Sequence, residues 1–146
     1  MASKYSDGRV YEAGEIIFEE GDKGSDMFIV QEGSVIVTKK ILGKELVLGT
    51  VERGDFFGEI SLLESVPRTA TCRAAVPTTL KAIRTGELVL KIRRDPTFAV
   101  EMLQRMGRRI RYMDDRLAQM IASGQISQEE MQMSALASDH LPKETT

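Results

Sequence analysis

Two charged residues stand where their neighbours could turn them into a ligand site. Glu59 follows Gly58, and Arg68 follows Pro67 in the run Pro67-Arg68-Thr69-Ala70. A glycine just before a helix start lets backbone N–H groups approach a ligand closely. The first turn of that helix offers unpaired N–H donors to an anion. A guanidinium at Arg68 can pair with two phosphate oxygens in a planar fork, and Thr69 adds a hydroxyl. Glu59 is an odd residue beside a phosphate unless the ligand also brings a donor, and a ribose hydroxyl is such a donor. The same spacing also fits a surface turn carrying a solvated ion pair.

The elements around these residues are short at first and long later. Gly14, Gly21, Gly24, Gly33, Gly43, Gly49, Gly54 and Gly58 punctuate the first half. Between them, residues 15–18, 26–31, 34–40 and 44–51 read as strands rich in β-branched residues, with a hairpin turn at Ile41-Leu42-Gly43-Lys44. Residues 59–63 look like a single helical turn. Residues 70–75 and 79–84 add two strands. Thr85 is a plausible N-cap for a short helix to Arg94. Asp95-Pro96 then opens a long helix to about Ala122, which Ser123-Gly124 ends. Ser127 and Glu130 form a capping-box pattern that opens a short helix to about Ala137, and residues 139–146 read as a tail. The expected fold class is therefore mainly β with helices: an antiparallel β-roll of the jelly-roll or double-stranded β-helix kind, then a short helix and a long C-terminal helix. Residues 1–122 form the domain, and 123–146 a short helix and flexible tail.

In the long helix, Leu103, Met106, Ile110, Met113, Leu117 and Met120 recur at alternating spacings of three and four, an a/d heptad seam. The alternative is a helix packed on its own β-roll. With Leu103 at a, Arg109 falls at g and Asp114 at e, so a parallel partner would bring Arg109 against Asp114. Arg105, Arg108, Arg109, Arg111 and Arg116, with Lys91, Arg93 and Arg94, form a basic stretch that reads as a solvated helix face or a partner surface.

Bulk properties exclude several functions. The 146 residues suffice for one domain with a core. Twenty Lys and Arg against twenty-two Asp and Glu give a net charge of −2, unlike the basic excess of a protein devoted to nucleic acid. His140 is the single histidine and lies in the polar tail, so a histidine-based metal site or general base is not expected. That argues against a metalloenzyme on a jelly roll, and no serine or cysteine nucleophile has a suitable base. We expect no enzyme, no metal and no cofactor. Cys72 is the only cysteine; it reads as a small buried hydrophobe or a redox thiol. No apolar run nears the ~20 residues that span a bilayer, and the N-terminus lacks a signal peptide's apolar segment, so the expected compartment is the cytoplasm, with no membrane contact.

The run Gly58-Glu59-Ile60-Ser61-Leu62, then Pro67-Arg68-Thr69-Ala70-Thr71 and Ala74, resembles the phosphate-binding cassette of the cyclic-nucleotide-binding domain family. Upstream, residues 14–22 and 27–35 resemble the family's glycine-spaced strands, so the likeness covers roughly residues 10–121. The family includes catabolite-activator-type regulators, protein kinase A regulatory subunits and cyclic-nucleotide-gated channels. The resemblance implies a sensor of a 3′,5′-cyclic nucleotide that signals by moving its C-terminal helices. It implies that the backbone of Gly58, Ile60 and Ser61 caps phosphate and ribose, that Glu59 accepts from the 2′-OH and that Arg68 pairs with the cyclic phosphate. Thr69 contacts phosphate or base. Its threonine resembles that of members accepting cyclic GMP but also occurs in members preferring cyclic AMP; cyclic AMP is favoured and cyclic GMP tolerated.

Catabolite-activator-type members dimerise through the long helix, which also covers the base, so a parallel homodimer is expected. Where those members hold adenine with polar residues, this chain carries Met113 and Asp114; Arg105, Arg109 and Tyr112 are further candidates for the base. Their DNA-binding relatives carry a helix-turn-helix after the long helix. Residues 123–146 are too few and too acidic for it, which implies a stand-alone domain with an unknown effector and no direct DNA binding, unless the chain is a fragment of a larger regulator or channel. A β-roll that has lost its nucleotide is the remaining alternative.

Overall fold

Glycines cut the first half of the chain into strands. In a computed structural model, which describes residues 8–130 and 132, those strands pair into two four-stranded antiparallel sheets. The elements in order are β1 (Gly8–Tyr11), β2 (Ile16–Phe18), β3 (Met27–Glu32), β4 (Ser34–Ile41), β5 (Lys44–Glu52), β6 (Phe56–Phe57), α1 (Glu59–Glu64), β7 (Thr71–Ala74), β8 (Thr78–Ile83), α2 (Thr85–Arg94) and α3 (Pro96–Ala122). One sheet runs β1-β8-β3-β6 and the other β2-β7-β4-β5. This is the expected β-roll followed by a short and a long helix. The added strands, β1 and β6, are four and two residues long and show no clean alternation to read.

Side chains alternate across a strand, so one strand can serve two cores. On β3, Phe28 and Val30 face the roll interior with Val35, Val51, Phe57, Cys72, Leu80 and Ala82. Met27 faces the other way and joins Phe56, Leu62, Ile83, Leu88 and Met102 in a second cluster. That second cluster ties α1, α2 and α3 to the outer face of the β3–β6 edge. Phe56 and Phe57 are consecutive, yet each belongs to a different core.

Turn chemistry sets how the sheets join. Leu42 and Gly43 have φ of 53° and 77°, and Ile41 pairs with Lys44, so the β4–β5 hairpin closes as a two-residue turn of the type that matches strand twist. Gly33 carries the chain from one sheet to the other at φ 97°. A Cβ there would lie 2.5 Å from Thr78 Oγ1 and 2.6 Å from the Pro77 carbonyl oxygen. Thr78 is itself buried, and its hydroxyl is bonded to the Val76 and Ser34 carbonyls.

The long helix starts where expected, after Asp95 and with Pro96 in its first turn, and the short helix starts one residue early. Arg84, in extended conformation, is the N-cap of α2, so Thr85 is already helical. Asp95 precedes α3, but its side chain makes no cap bond; Pro96 and the Asp95 carbonyl, which accepts from Phe98 N at 3.0 Å, mark the start. Beyond α3, Ile126 is buried, and Ser127 Oγ accepts from Glu130 N at 3.1 Å as the capping pattern anticipates. The remainder of that expected helix to Ala137, and the tail with His140, lie outside the described residues. Among the described residues, no helix is long and apolar enough to cross a membrane.

Gly33→Ala combines a left-handed backbone with a backbone clash, so it should destabilise the protein by about 2–4 kcal/mol. Gly14→Ala, at φ 88° with open space around it, should cost only about 1 kcal/mol. Urea unfolding of both variants checks the contrast; equal midpoints would refute it.

Candidate functional site

Gly58 ends β6 and opens α1 in the left-handed region, at φ 79°. No side chain caps α1, so its first-turn N–H groups have no side-chain partner. The lack of a Cβ serves a second purpose. One at Gly58 would lie 2.9 Å from Arg68 Nη1 and 3.0 Å from the Asp26 carbonyl. Along α1, Glu59, Ser61 and Leu62 turn inward, while Ile60 and Leu63 are exposed.

Arg68 enters from the loop between α1 and β7. Its backbone is pinned to the β2–β3 loop: its N–H donates to the Asp22 carbonyl, and its carbonyl accepts from Gly21 N, both at 2.8 Å. Its side chain is buried, only 6% exposed. Nη1 donates to the Gly58 carbonyl at 3.1 Å, and Cζ sits 4.2 Å from the centre of the Phe18 ring. Among the described residues, no carboxylate lies within ion-pair distance of it. Burial lowers its pKa, and the fields of Asp26, Cys72 and Asp22 oppose that in part. A buried cation without a carboxylate is costly for a fold, and it is a strong receptor for an anion delivered to it.

Glu59 is also buried, at 8% exposure. Its Oε1 accepts from Arg109 Nη1 at 3.1 Å. Arg109 reaches down from α3 and also pairs with Asp55 Oδ1 at 2.9 Å, bonds the Phe56 carbonyl and lies over the Phe56 ring. One turn earlier, Arg105 bonds the Gly54 carbonyl and Asp55. Two turns later, Arg116 donates to the Val47 carbonyl at 2.7 Å. Tyr112 packs near Gly49. These positions recur every three or four residues and form the inward face of α3.

The basic stretch is thus divided: Arg105, Arg109 and Arg116 clasp the roll, whereas Arg108 and Arg111 are exposed. Arg109, which the heptad register sets against Asp114 of a partner, has its guanidinium on Asp55 and Glu59 of its own chain. The heptad seam is divided too. Met106 packs against the helical cluster, and Leu117 and Met120 are half-buried. Leu103 and Ile110 are 66% and 63% exposed, and Met113 is exposed beside them.

The structure brings Gly58, Glu59, Arg68 and Arg109 together. Thr69 is half-buried beside Arg68, and its carbonyl accepts from Lys39 Nζ at 2.7 Å. Of the candidates for a base, Arg105 and Arg109 are engaged with the roll, Tyr112 lies against Gly49, and Met113 faces outward. Asp55, Phe18, Gly24 and Lys39 also meet at this region, and the sequence marks none of them as a site residue. Asp55 lies in the glycine-flanked run that precedes the cassette, and that adjacency was the one available signal.

A two-sheet roll with a buried arginine, a buried glutamate and a glycine-opened helical turn has the groups to bind a small anion that also carries a donor. Sequence comparison agrees: the family of the cyclic nucleotide-binding domain matches residues 8–95. The chain belongs to the cyclic nucleotide-binding domain family. It is 46% identical over 67 residues to a cAMP-dependent protein kinase regulatory subunit of Mycosarcoma maydis, covering 46% of this chain and 13% of that protein. It is 34% identical over 115 residues to a cyclic AMP receptor protein of Thermus thermophilus, covering 78% of this chain and 53% of that one. The crystal structure of the Thermus thermophilus catabolite activator protein superposes with a TM-score of 0.70 at 33% identity, over 80% of this chain and 55% of that chain. The chain therefore spans about half or less of the length of these relatives. Among the described residues there is no group of histidine, cysteine and carboxylate side chains able to hold a metal ion.

Cys72 packs on the floor of this region, 2% exposed. Its pKa is raised from 9.0 to about 12, by burial first and then by the charge of Glu59, with Arg68 and Arg109 opposing the rise. The folded thiol stays protonated while the unfolded thiol ionises. Its stabilising contribution is complete below about pH 9 and declines as pH rises from there toward 12. Unfolding free energies from pH 8 to 11 should fall more steeply in the wild type than in Cys72→Ala. Parallel pH profiles would contradict this.

Proposed function

We propose that the chain is a cyclic-nucleotide sensor that binds a 3′,5′-cyclic nucleotide in the cassette and transmits occupancy through α2 and α3. The observation that carries this reading is the buried Arg68 guanidinium with no carboxylate in ion-pair range among the described residues. A cyclic phosphate supplies the missing charge, with the N–H groups of Ile60 and Ser61 and the Thr69 hydroxyl beside it. Glu59 accepts from the 2′-OH, the only ribose hydroxyl left free in such a nucleotide. The names of the kinase regulatory subunit and the receptor protein favour cyclic AMP, with cyclic GMP the alternative through Thr69. A β-roll that had lost its ligand would have no reason to retain an unpaired buried cation. The same relatives support a regulatory module over an enzyme.

The signalling route follows from shared partners. Glu59 holds Arg109 of α3, so a 2′-OH arriving at Glu59 changes what that carboxylate offers the helix. A ligand shifts an equilibrium only through differential contacts with the two states, and here the contact is on the ligand-binding residue itself. Couplings of this kind are typically about 1–3 kcal/mol. The moving helix carries Leu103, Ile110 and Met113 on its exposed side, a surface that fits a second copy of the chain as a parallel homodimer.

Arg68→Ala should weaken cyclic-nucleotide binding by about 2–4 kcal/mol, because a desolvated phosphate loses its counter-charge. Calorimetry with cyclic AMP and cyclic GMP measures it. Failure of the wild type to bind either, or unchanged affinity in the variant, overturns the reading. For the dimer, sedimentation should show a dimeric wild type and a monomeric Ile110→Asp; a monomeric wild type rules the interface out.

A further inference from the structure

Among the described residues, the guanidinium of Arg68 has no carboxylate in ion-pair range; it rests on an aromatic ring. Its Cζ is 4.2 Å from the centre of the Phe18 ring and 5.8 Å from that of Phe28. Phe18 is held by neighbours of its own kind, with ring centres 6.1 Å from Phe28 and 5.8 Å from Phe57. Two glycines leave the space that the guanidinium fills. A Cβ at Gly24 would lie 3.1 Å from Arg68 Nε and Nη2, and one at Gly58 would lie 2.9 Å from Nη1.

The acidic groups whose fields act on Arg68 are Asp26 and Asp22, and each is engaged elsewhere. Asp26 Oδ2 is 3.4 Å from Arg9 Nη2. Asp22 Oδ2 accepts from Glu19 N at 2.9 Å. A carboxylate on Arg68 would neutralise the charge that attracts a phosphate and compete with it for the N–H donors. A ring stabilises the cation through its face and uses none of its five N–H groups. Among the described residues, only one of those donors is committed, to the Gly58 carbonyl.

We propose that Phe18 is a positioning residue for the anion site: its ring face holds the Arg68 guanidinium away from the carboxylates of the β2–β3 loop and keeps its donor edge open to phosphate. This rests on the reading of Arg68 as the phosphate receptor. It adds that the receptor stays receptive because its charge is balanced by a group that cannot compete with the ligand. Without the ring, Arg68 is free to swing to Asp22 or Asp26 and close its own site.

The test combines calorimetry with side-chain NMR on the whole chain. Phe18→Leu should weaken cyclic AMP binding about tenfold, within the range of a desolvated cation–ring contact. Phe18→Tyr, which keeps the ring face, should bind within about twofold of the wild type. Adding Asp22→Asn and Asp26→Asn to Phe18→Leu should recover most of the loss, a rescue that a purely packing role for Phe18 does not give. In the ligand-free protein, the Arg68 Nε–H resonance, assigned by its disappearance in Arg68→Lys, should be shifted upfield by the ring in the wild type and Phe18→Tyr and unshifted in Phe18→Leu. An unshifted wild-type resonance, or a Phe18→Leu loss that the two asparagines do not relieve, overturns the proposal. If the wild type binds neither nucleotide, the sensor reading falls, and the resonance alone decides whether the ring holds the arginine.

Discussion

Keeping a guanidinium in the interior, with no carboxylate among the described residues to pair with it, is the constraint that the rest of this site obeys. Desolvation acts against the charge, and few arrangements compensate without blocking the donors. Here the compensation is distributed. The Phe18 ring covers one face, the Gly58 carbonyl takes one N–H, and the carboxylates of Asp22 and Asp26 act from a distance. Two backbone bonds fix Arg68 against the loop that carries Gly21 and Asp22. The glycines at 24 and 58 are needed for room at the guanidinium as well as for turn geometry.

The same economy appears in the second buried charge. Glu59 is inward because α1 begins one residue earlier, at a left-handed glycine, and the inward face of so short a helix has room for only three side chains. Its partner comes from far along the chain, on a helix whose other inward arginines bind backbone carbonyls and Asp55. The helix thus touches the roll through two kinds of contact. Near its start it packs through Met102 into the apolar cluster. Further along it is held by charges. Apolar packing resists displacement in any direction, whereas charged hydrogen bonds can be exchanged for water or for a ligand at modest net cost.

Much of this was legible in the residues. The glycine spacing and β-branched runs specify the roll because each turn needs a backbone conformation that few other residues adopt. The cassette could be read because its residues are local: Gly58, Glu59 and Arg68 lie within one loop-helix-loop. What could not be read is contact across the chain. Phe18 and Arg68 meet only once β2 and β7 pair, and nothing near either residue marks the other. The heptad count placed Arg109 on a dimer flank because a seam and an inward face lie side by side on one helix. Sequence spacing does not say which of them the β-roll will cover. Asp55 decides it by drawing Arg105 and Arg109 to the same side.

The division of α3 into a greased end and a charged end has a mechanical consequence. Met102, packed in the apolar cluster, is placed to serve as a fulcrum, and Arg116 lies about 21 Å beyond it along the axis, at 1.5 Å per residue. A tilt of only about 10° at the fulcrum sweeps the far end through about 4 Å over such an arm. An ångström-scale rearrangement at Glu59 therefore need not travel through the protein as a chain of small shifts. In the proposed sensor, it has only to unlatch one side of a beam whose length does the amplifying.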